Sequence, residues 1–250
     1  MLSVFLTTWV LTVGATTPEE LKTQLDQWRP LRAGGTAPNI SLGEIKQAFG
    51  GEIVAGIEVV ENIKAGKGYA IGVFDVPVSK VWRGVCDEDH HAGSLKVDRS
   101  ETVEGKARAH GHTLYQFLDV PIVSDRWWLV QMSFNDRLYG ASGSRAWELS
   151  WVDRQKDQAL RARLGSDYTG KGVGVAWTKG AWLMVDLGRD RTFVEYHTWS
   201  DPGGKVPVGP ATRFATSEVR NNLKSMVDFS VSHASTCNES FYKPDGTPLR

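Results

Sequence analysis

The sequence predicts an α+β fold: an antiparallel β-sheet with one apolar face and one long C-terminal α-helix to cover it, with a short helical extension in front. Three observations predict it. Apolar residues alternate with period two through the middle of the chain. Trp128, Val130, Met132 and Phe134 share one face of a strand, and Trp147, Leu149 and Trp151 share another, opposite Glu148 and Ser150. A Gly/Pro cluster, "DPGGKVPVGP", then breaks the pattern with turn chemistry. After it, Ala215, Val219, Leu223, Met226, Val227, Ser230, Val231 and Ala234 recur at helical spacing. That helix spans roughly 25 residues, or about 37 Å, enough to cross a sheet diagonally.

The elements follow in order. Leu2 to Val13 is apolar but too short to span a bilayer, and Val13-Gly14-Ala15 fits a small-residue cleavage site. Residues 1–15 therefore read as a signal peptide, which implies export to the periplasm or outside the cell. A buried N-terminal strand or helix is the alternative and leaves the chain cytoplasmic. Pro18-Glu19-Glu20 opens a helix with acids in its first turn, and Leu21, Leu25 and Trp28 share its face. Ser41 and Glu44 form a capping-box pattern for a second helix through Phe49. These two helices make an extension over 16–51. "EIVAGIEVVE" and "GYAIGVFDV" read as a hairpin. Val78, Val81, Trp82 and Val85 make a short helix after Pro77, finished by Gly93. Strands follow in "SLKVDRSETVEG", "ARAHGHTLYQFLDV", "DRWWLVQMSFND", "RAWELSWVDR", "GVGVAWTKG", "AWLMVDLG" and "RTFVEYHTW", joined by short loops as a meander. The main domain runs over 52–236, with a tail over 237–250.

Composition narrows the function. Lys+Arg and Asp+Glu are equal at 29 each, so no basic field gathers nucleic acid. Two cysteines without a CxxC exclude zinc-finger and thioredoxin chemistry. A Cys86–Cys237 disulfide is compatible with an oxidising compartment, but nothing in the sequence fixes their distance. Ten Trp supply large rings of the kind that line apolar cavities.

Chemical motifs mostly fail. Gly165 to Gly172 has the spacing of a phosphate-binding loop, but Gly172 replaces the Ser/Thr that holds magnesium and a strand follows, so it reads as a hairpin turn. "GASGS" (140–144) lacks the final Gly and the following helix of a nucleophile elbow. His110 and His112 share a strand face without a third ligand, and His90-His91 reads as a solvated helix end. No metal, cofactor or catalytic residue is assigned.

Three stretches resemble the START domain and its wider helix-grip superfamily, which takes in the Bet v-like and polyketide cyclase-like (SRPBCC) proteins. "VFDVPVSKVWRGVCD" (73–87) is similar to the family's strand running into its first helix, with Val81-Trp82 at an apolar-Trp position and Asp87 after it. "DVPIVSDRWWLVQMSF" (119–134) is similar to its P-x-x-x-D-R turn and following strand. "HTWSDPGGKVPVGPATRFATSEVRNNL" is similar to its passage from last strand to C-terminal helix, although Asn221-Asn222 sits further along than in the family and Arg213-Phe214-Ala215 occupies the helix start. The resemblance covers roughly 52–234.

The resemblance implies a helix-grip fold, in which a curved antiparallel sheet wraps the C-terminal helix and an elongated apolar cavity between them binds, and often transfers, a lipid or other hydrophobic small molecule. The expected lining is Trp128, Val130, Met132, Trp147, Leu149, Trp151, Met184, Phe214, Val219, Leu223, Met226 and Val227. Asp201, Pro202, Gly203 and Gly204 form the loop through which a ligand would enter. Arg213, Arg220 and Lys224, off the apolar stripe, would allow transient contact with an anionic membrane surface, a solvated helix face being the plainer explanation. The alternative is an enzyme of the same architecture, a cyclase, aromatase or hydrolase, with Glu148, Asp186, Glu195, Tyr196 and His197 as candidate acid/base groups. A third reading is an interaction module whose cleft is filled by its own side chains.

Overall fold

The computed structural model describes residues 16–33, 37–58, 67–119, 124–203, 208–233 and 240–249, and for 208–217 the backbone alone. Residues 1–15, Gly204, Pro207 and Cys237, and the side chains of Arg213 and Phe214, lie outside the described residues.

Two capped helices open the described chain. In α1 (Pro18–Trp28) Thr17 accepts from the Glu20 amide while the Glu20 carboxylate accepts from Thr17 N–H. Ser41 and Glu44 repeat the arrangement at α2 (Leu42–Phe49). The hairpin β1 (Val54–Glu58) and β2 (Lys67–Phe74) follows, then α3 (Val78–Cys86). Next come β3 (Arg99–Glu104), β4 (Thr113–Leu118), β5 (Arg126–Phe134), α4 (Asp136–Ala141) and β6 (Ala146–Asp153). Two short helices, α5 (Gln158–Leu164) and α6 (Ser166–Thr169), lead to β7 (Val173–Gly174). The long strands β8 (Trp177–Gly188) and β9 (Arg191–Asp201) precede α7 (Val208–His233), and β10 (Phe241–Tyr242) pairs with β11 (Pro248–Leu249).

Among the described residues one sheet runs β1-β2-β9-β8-β6-β5-β4-β3, antiparallel throughout, with β7 added parallel to β5. Strands β3 to β9 pair largely in chain order, and the β1–β2 hairpin joins at β9 rather than at β3. The fold is thus the α+β architecture expected, a large antiparallel sheet with a 26-residue C-terminal helix.

Four local expectations need correction. The two strands expected over "GVGVAWTKG" and "AWLMVDLG" are the two-residue β7 and one twelve-residue β8. The boundary expected between Gly180 and Ala181 is absent, and the strand runs through it. Gly180 instead makes room, since a Cβ there would stand 2.4 Å from Cζ2 of Trp151 and 2.2 Å from the His197 carbonyl oxygen. The 165–172 stretch is not a hairpin turn: Ser166–Thr169 is helical, and the segment connects α5 to β7. Helices α4 and α5 went unexpected because they are short; Asn135 and Asp157 cap them through the amides of Leu138 and Leu160. Helix α3 stops at Cys86, followed by a 3-10 turn, Glu88–His90, well before Gly93.

Parity along the strands separates two faces. The inner face carries Ala70, Leu114, Val130, Met132, Phe134, Trp147, Leu149, Trp182, Met184 and Val194, packed against α3 and α7. The outer face carries Tyr69, Ile71, Ala146, Leu183, Val185 and Phe193, covered by Leu21, Leu25, Trp28, Ile45 and Ala48 of α1 and α2. The extension is therefore a layer of the fold. Farther along, Leu160 of α5 covers Tyr115, Trp127 and Leu129.

Candidate functional site

The inner face has two halves. In one, α3 fits between sheet and α7. Trp82 sits in its middle, fully buried, with ring centroids 5.0 Å from Phe134 and 5.5 Å from Trp147. Its Nε1 donates to the Tyr242 carbonyl at 2.7 Å. Helices α3 and α7 cross closely at Gly84, where a Cβ would lie 2.0 Å from Oγ of Ser230 and 2.8 Å from its Cα. Val219, Leu223, Met226 and Val227 of α7 are all buried in this layer. So are Val130, Met132, Trp147, Leu149 and Met184. Aromatic side chains fill this half.

The other half is built differently. Trp128, Trp151 and Tyr196 face the same side but stay half-buried, packed against the core residues of that face. Tyr196 stacks on Trp182 at 4.2 Å and on Trp151 at 6.0 Å. Each polar tip already has a partner. Nε1 of Trp128 donates to Oε1 of Gln116 at 2.9 Å, and Nε1 of Trp151 lies 3.4 Å from Oγ1 of Thr178. The Thr178 hydroxyl is 2.5 Å from that of Ser200. Burial pushes ionisation of the Tyr196 phenol up to about 12, although hydrogen bonds with Asn222 and Thr198 oppose the shift. The result is a row of aromatic faces with satisfied edges, a surface suited to an apolar ligand.

Beside this half runs the loop after β9. Asp201 Oδ1 accepts from the Gly203 amide at 2.9 Å, and Nε of Arg126 donates to the Pro202 carbonyl at 2.8 Å. Gly203 has φ +68, a backbone that favours glycine. Residues 201–203 are therefore braced, and Gly204 lies outside the described residues.

No protein-family model matches the sequence, and no curated protein matches it either. Solved structures do match in shape. A STAR-related lipid transfer protein from Xanthomonas axonopodis covers 72% of this chain and 94% of its own, at TM-score 0.60 and 19% identity. Human STARD10 covers 82% and 85%, at 0.58 and 13%. The human StAR-related lipid transfer protein 5 covers 85% and 95%, at 0.51 and 12%. The fold is START-like.

In this START-like fold the expected acid/base candidates separate. Glu148, Glu195 and His197 lie on the outer face, away from α7. Glu148, Leu183 and Glu195 form a row across β6, β8 and β9, and Arg32 of the extension bridges the two carboxylates. Its Nη1 and Nη2 donate to Glu195 at 3.1 and 2.7 Å while Nε donates to Glu148. Glu148 also accepts from Ala33 N at 3.0 Å and Asn135 Nδ2 at 2.5 Å, and Glu195 lies 2.9 Å from His197 Nδ1. Burial would raise the Glu195 carboxyl, but Arg32 and His197 more than offset it and hold it at about 2. The void beside Arg32 holds about 10 Å³, room for a single water. The network locks the extension in place. Asp186 is used at the β8–β9 turn, where Oδ1 accepts from the Gly188 amide at 2.8 Å. Tyr196 faces the inner side, stacked on Trp182 and Trp151.

Two further sequence readings change. His91 is not solvated: it is buried, with Nε2 2.9 Å from the Gly84 carbonyl oxygen, and His90 joins an ionic cluster with Asp87. Cys86 is a buried thiol whose ionisation is pushed up, first by burial and then by Glu88 and Asp87. Sequence reasoning missed Trp182 and Gln116 as inner-face residues, although Trp182 shares its period-two face with Met184. It also missed Arg32, whose partners lie more than a hundred positions away.

Proposed function

We propose that this protein binds, and hands on, a lipid or other hydrophobic small molecule between the inner sheet face and the first half of α7. The observation that carries the reading is the half-buried aromatic row Trp128, Trp151 and Tyr196, whose polar edges are already bonded and whose faces are apolar. Two structurally similar proteins, each named as a lipid transfer protein, support it. The filled half around Trp82 acts as the floor, so the ligand lies toward the 201–203 loop and enters there. Among the sequence-predicted residues, Trp128 and Trp151 make first contact, while Trp147, Leu149, Met184, Val219, Leu223, Met226 and Val227 set the floor. Arg220 is exposed and free to meet an anionic surface, at about 1 kcal/mol if close enough. Lys224 is already paired with Asp228 at 2.5 Å. Cleavage of 1–15 would place the protein outside the cytoplasm, and no helix among the described residues is long and apolar enough to cross a membrane.

Native mass spectrometry of the protein incubated with fatty acids, sterols and phospholipids tests the reading. A bound mass is expected from at least one class, and Trp128→Ala and Trp151→Ala should each lose it while remaining folded. A protein that stays empty across the panel overturns the proposal.

A further inference from the structure

At the far end of α7, away from the proposed ligand, three donor atoms converge. They come from Asp87, just past α3; His90, in the 3-10 turn; and His233, the last residue of α7. The three atoms all lie within 4.8 Å of one another. Asp87 is 1% exposed, His90 is exposed and His233 is half-buried. Burial opposes the charge on Asp87, but hydrogen bonds from His90 and Arg108 outweigh it and keep the carboxyl below its usual range.

The orientation of Asp87 is the informative feature. Arg108 places both Nε and Nη2 on one oxygen, Oδ1, at 2.7 and 2.6 Å. His90 Nδ1 is also 2.9 Å from Oδ1. The other oxygen, Oδ2, is buried and accepts no hydrogen bond of good geometry, although Nε2 of His233 is 2.8 Å away. A cation placed between this buried oxygen and the imidazole nitrogen facing it would satisfy both. Neighbouring Glu88 is also buried, 3.4 Å from His112 Nε2, which adds negative charge nearby.

We propose that Asp87, His90 and His233 bind a zinc-class divalent ion. Two imidazole nitrogens with one carboxylate oxygen suit zinc and its borderline neighbours, whereas magnesium and calcium prefer all-oxygen sites. Metal–ligand bonds of about 2.0–2.2 Å set tetrahedral donors roughly 3.3–3.6 Å apart, within reach of the present positions by side-chain rotation. His90, being exposed, is free to rotate away from Arg108, whose Nη2 is 3.3 Å from its Nδ1. Arg108 then serves as the outer partner that fixes the ligating carboxylate through Oδ1. Phe229 stacks on the His233 ring at 4.7 Å and holds its plane. His91 has its partner in the Gly84 carbonyl and stays out of the site. A zinc ion held by three protein donors takes a fourth ligand such as water. Such an ion would pin the C-terminal turn of α7 to the end of α3 and leave the other end of α7 free to admit ligand.

The test uses tag-free, metal-stripped full-length protein and Zn²⁺ alone, titrated against a chromophoric chelator. One ion per chain is expected. His90→Gln and His233→Gln should each weaken binding by about tenfold or more, with far-UV circular dichroism unchanged, and Cys86→Ser should leave it as it was. Co²⁺ gives a second measurement on the unmutated protein. A tetrahedral visible band without thiolate charge transfer supports the site even if a histidine variant fails to fold. Absence of Zn²⁺ binding, binding that survives in both histidine variants, or a thiolate band overturns it. None of these outcomes bears on lipid binding at the opposite end.

Discussion

Replacing Arg32 with Met should destabilise the protein far more than any surface substitution, and by an amount that depends on pH in a defined direction. Arg32 and both its carboxylate partners are 4% exposed or less. Without the guanidinium, Glu148 keeps its bonds to Ala33 and Asn135, and Glu195 keeps only His197. Breaking a buried pair from one side costs about 3–5 kcal/mol, because charge is left without a counter-ion. The native pairing gives a second, independent figure. The Glu195 carboxyl titrates at about 2 in the fold against an ordinary 4.5, which corresponds to about 3 kcal/mol. A depressed folded value means that this contribution is full above the unfolded value and fades as the pH falls through 4.5 toward 2. In Arg32→Met, burial still opposes the charge on Glu195 and His197 alone offsets it, so the variant is less destabilised by acidification than the parent. The stability gap between the two proteins should be about 3–5 kcal/mol near pH 7 and should narrow steadily toward about pH 3. Urea unfolding followed by tryptophan fluorescence measures it. A gap under about 1 kcal/mol near neutrality, or one that does not change with pH, would refute the assignment of Arg32 as counter-ion to the outer face.

Gly84→Ala should lower stability by about 1–3 kcal/mol, or roughly 2–8 °C in Tm, because its Cβ meets the Ser230 backbone as well as its hydroxyl; a thermal melt that does not move would show that α3 and α7 are not in close contact. Gly203→Ala should cost about 1 kcal/mol for its positive φ and should slow ligand exchange only if the loop is the route in, a difference that stopped-flow fluorescence would read. Trp82→Ala and Trp151→Ala should separate stability from binding. The former should cost about 3–5 kcal/mol in denaturant, and the latter less than half of that but most of the ligand occupancy. Reversed outcomes would place the ligand in the Trp82 half.

The elements of the fold were largely legible in the sequence because their signals are local. Capping boxes at Thr17 and Ser41 need only three residues of spacing, and the stripe on α7 repeats every turn. Errors arose where a local signal competed with a distant contact. Gly180 marks the expected strand boundary, yet the strand continues through it because Trp151 of another strand needs the space. The candidate site was legible only in part. Trp128, Trp151 and Met184 announce their face by alternation, but alternation does not tell the fully buried residues of that face from the half-buried ones.

The sequence by itself determined the α+β class, the long covering helix and the apolar side of each strand, since period and composition act over a few residues. Only the tertiary structure decided that Glu148, Glu195 and His197 turn away from the covering helix to meet Arg32, that Trp82 fills one end of the inner face, and that Asp87, His90 and His233 come together. Each of these joins residues far apart in the chain. Their meeting depends on strand order and helix crossing, and no property of the separate segments encodes it.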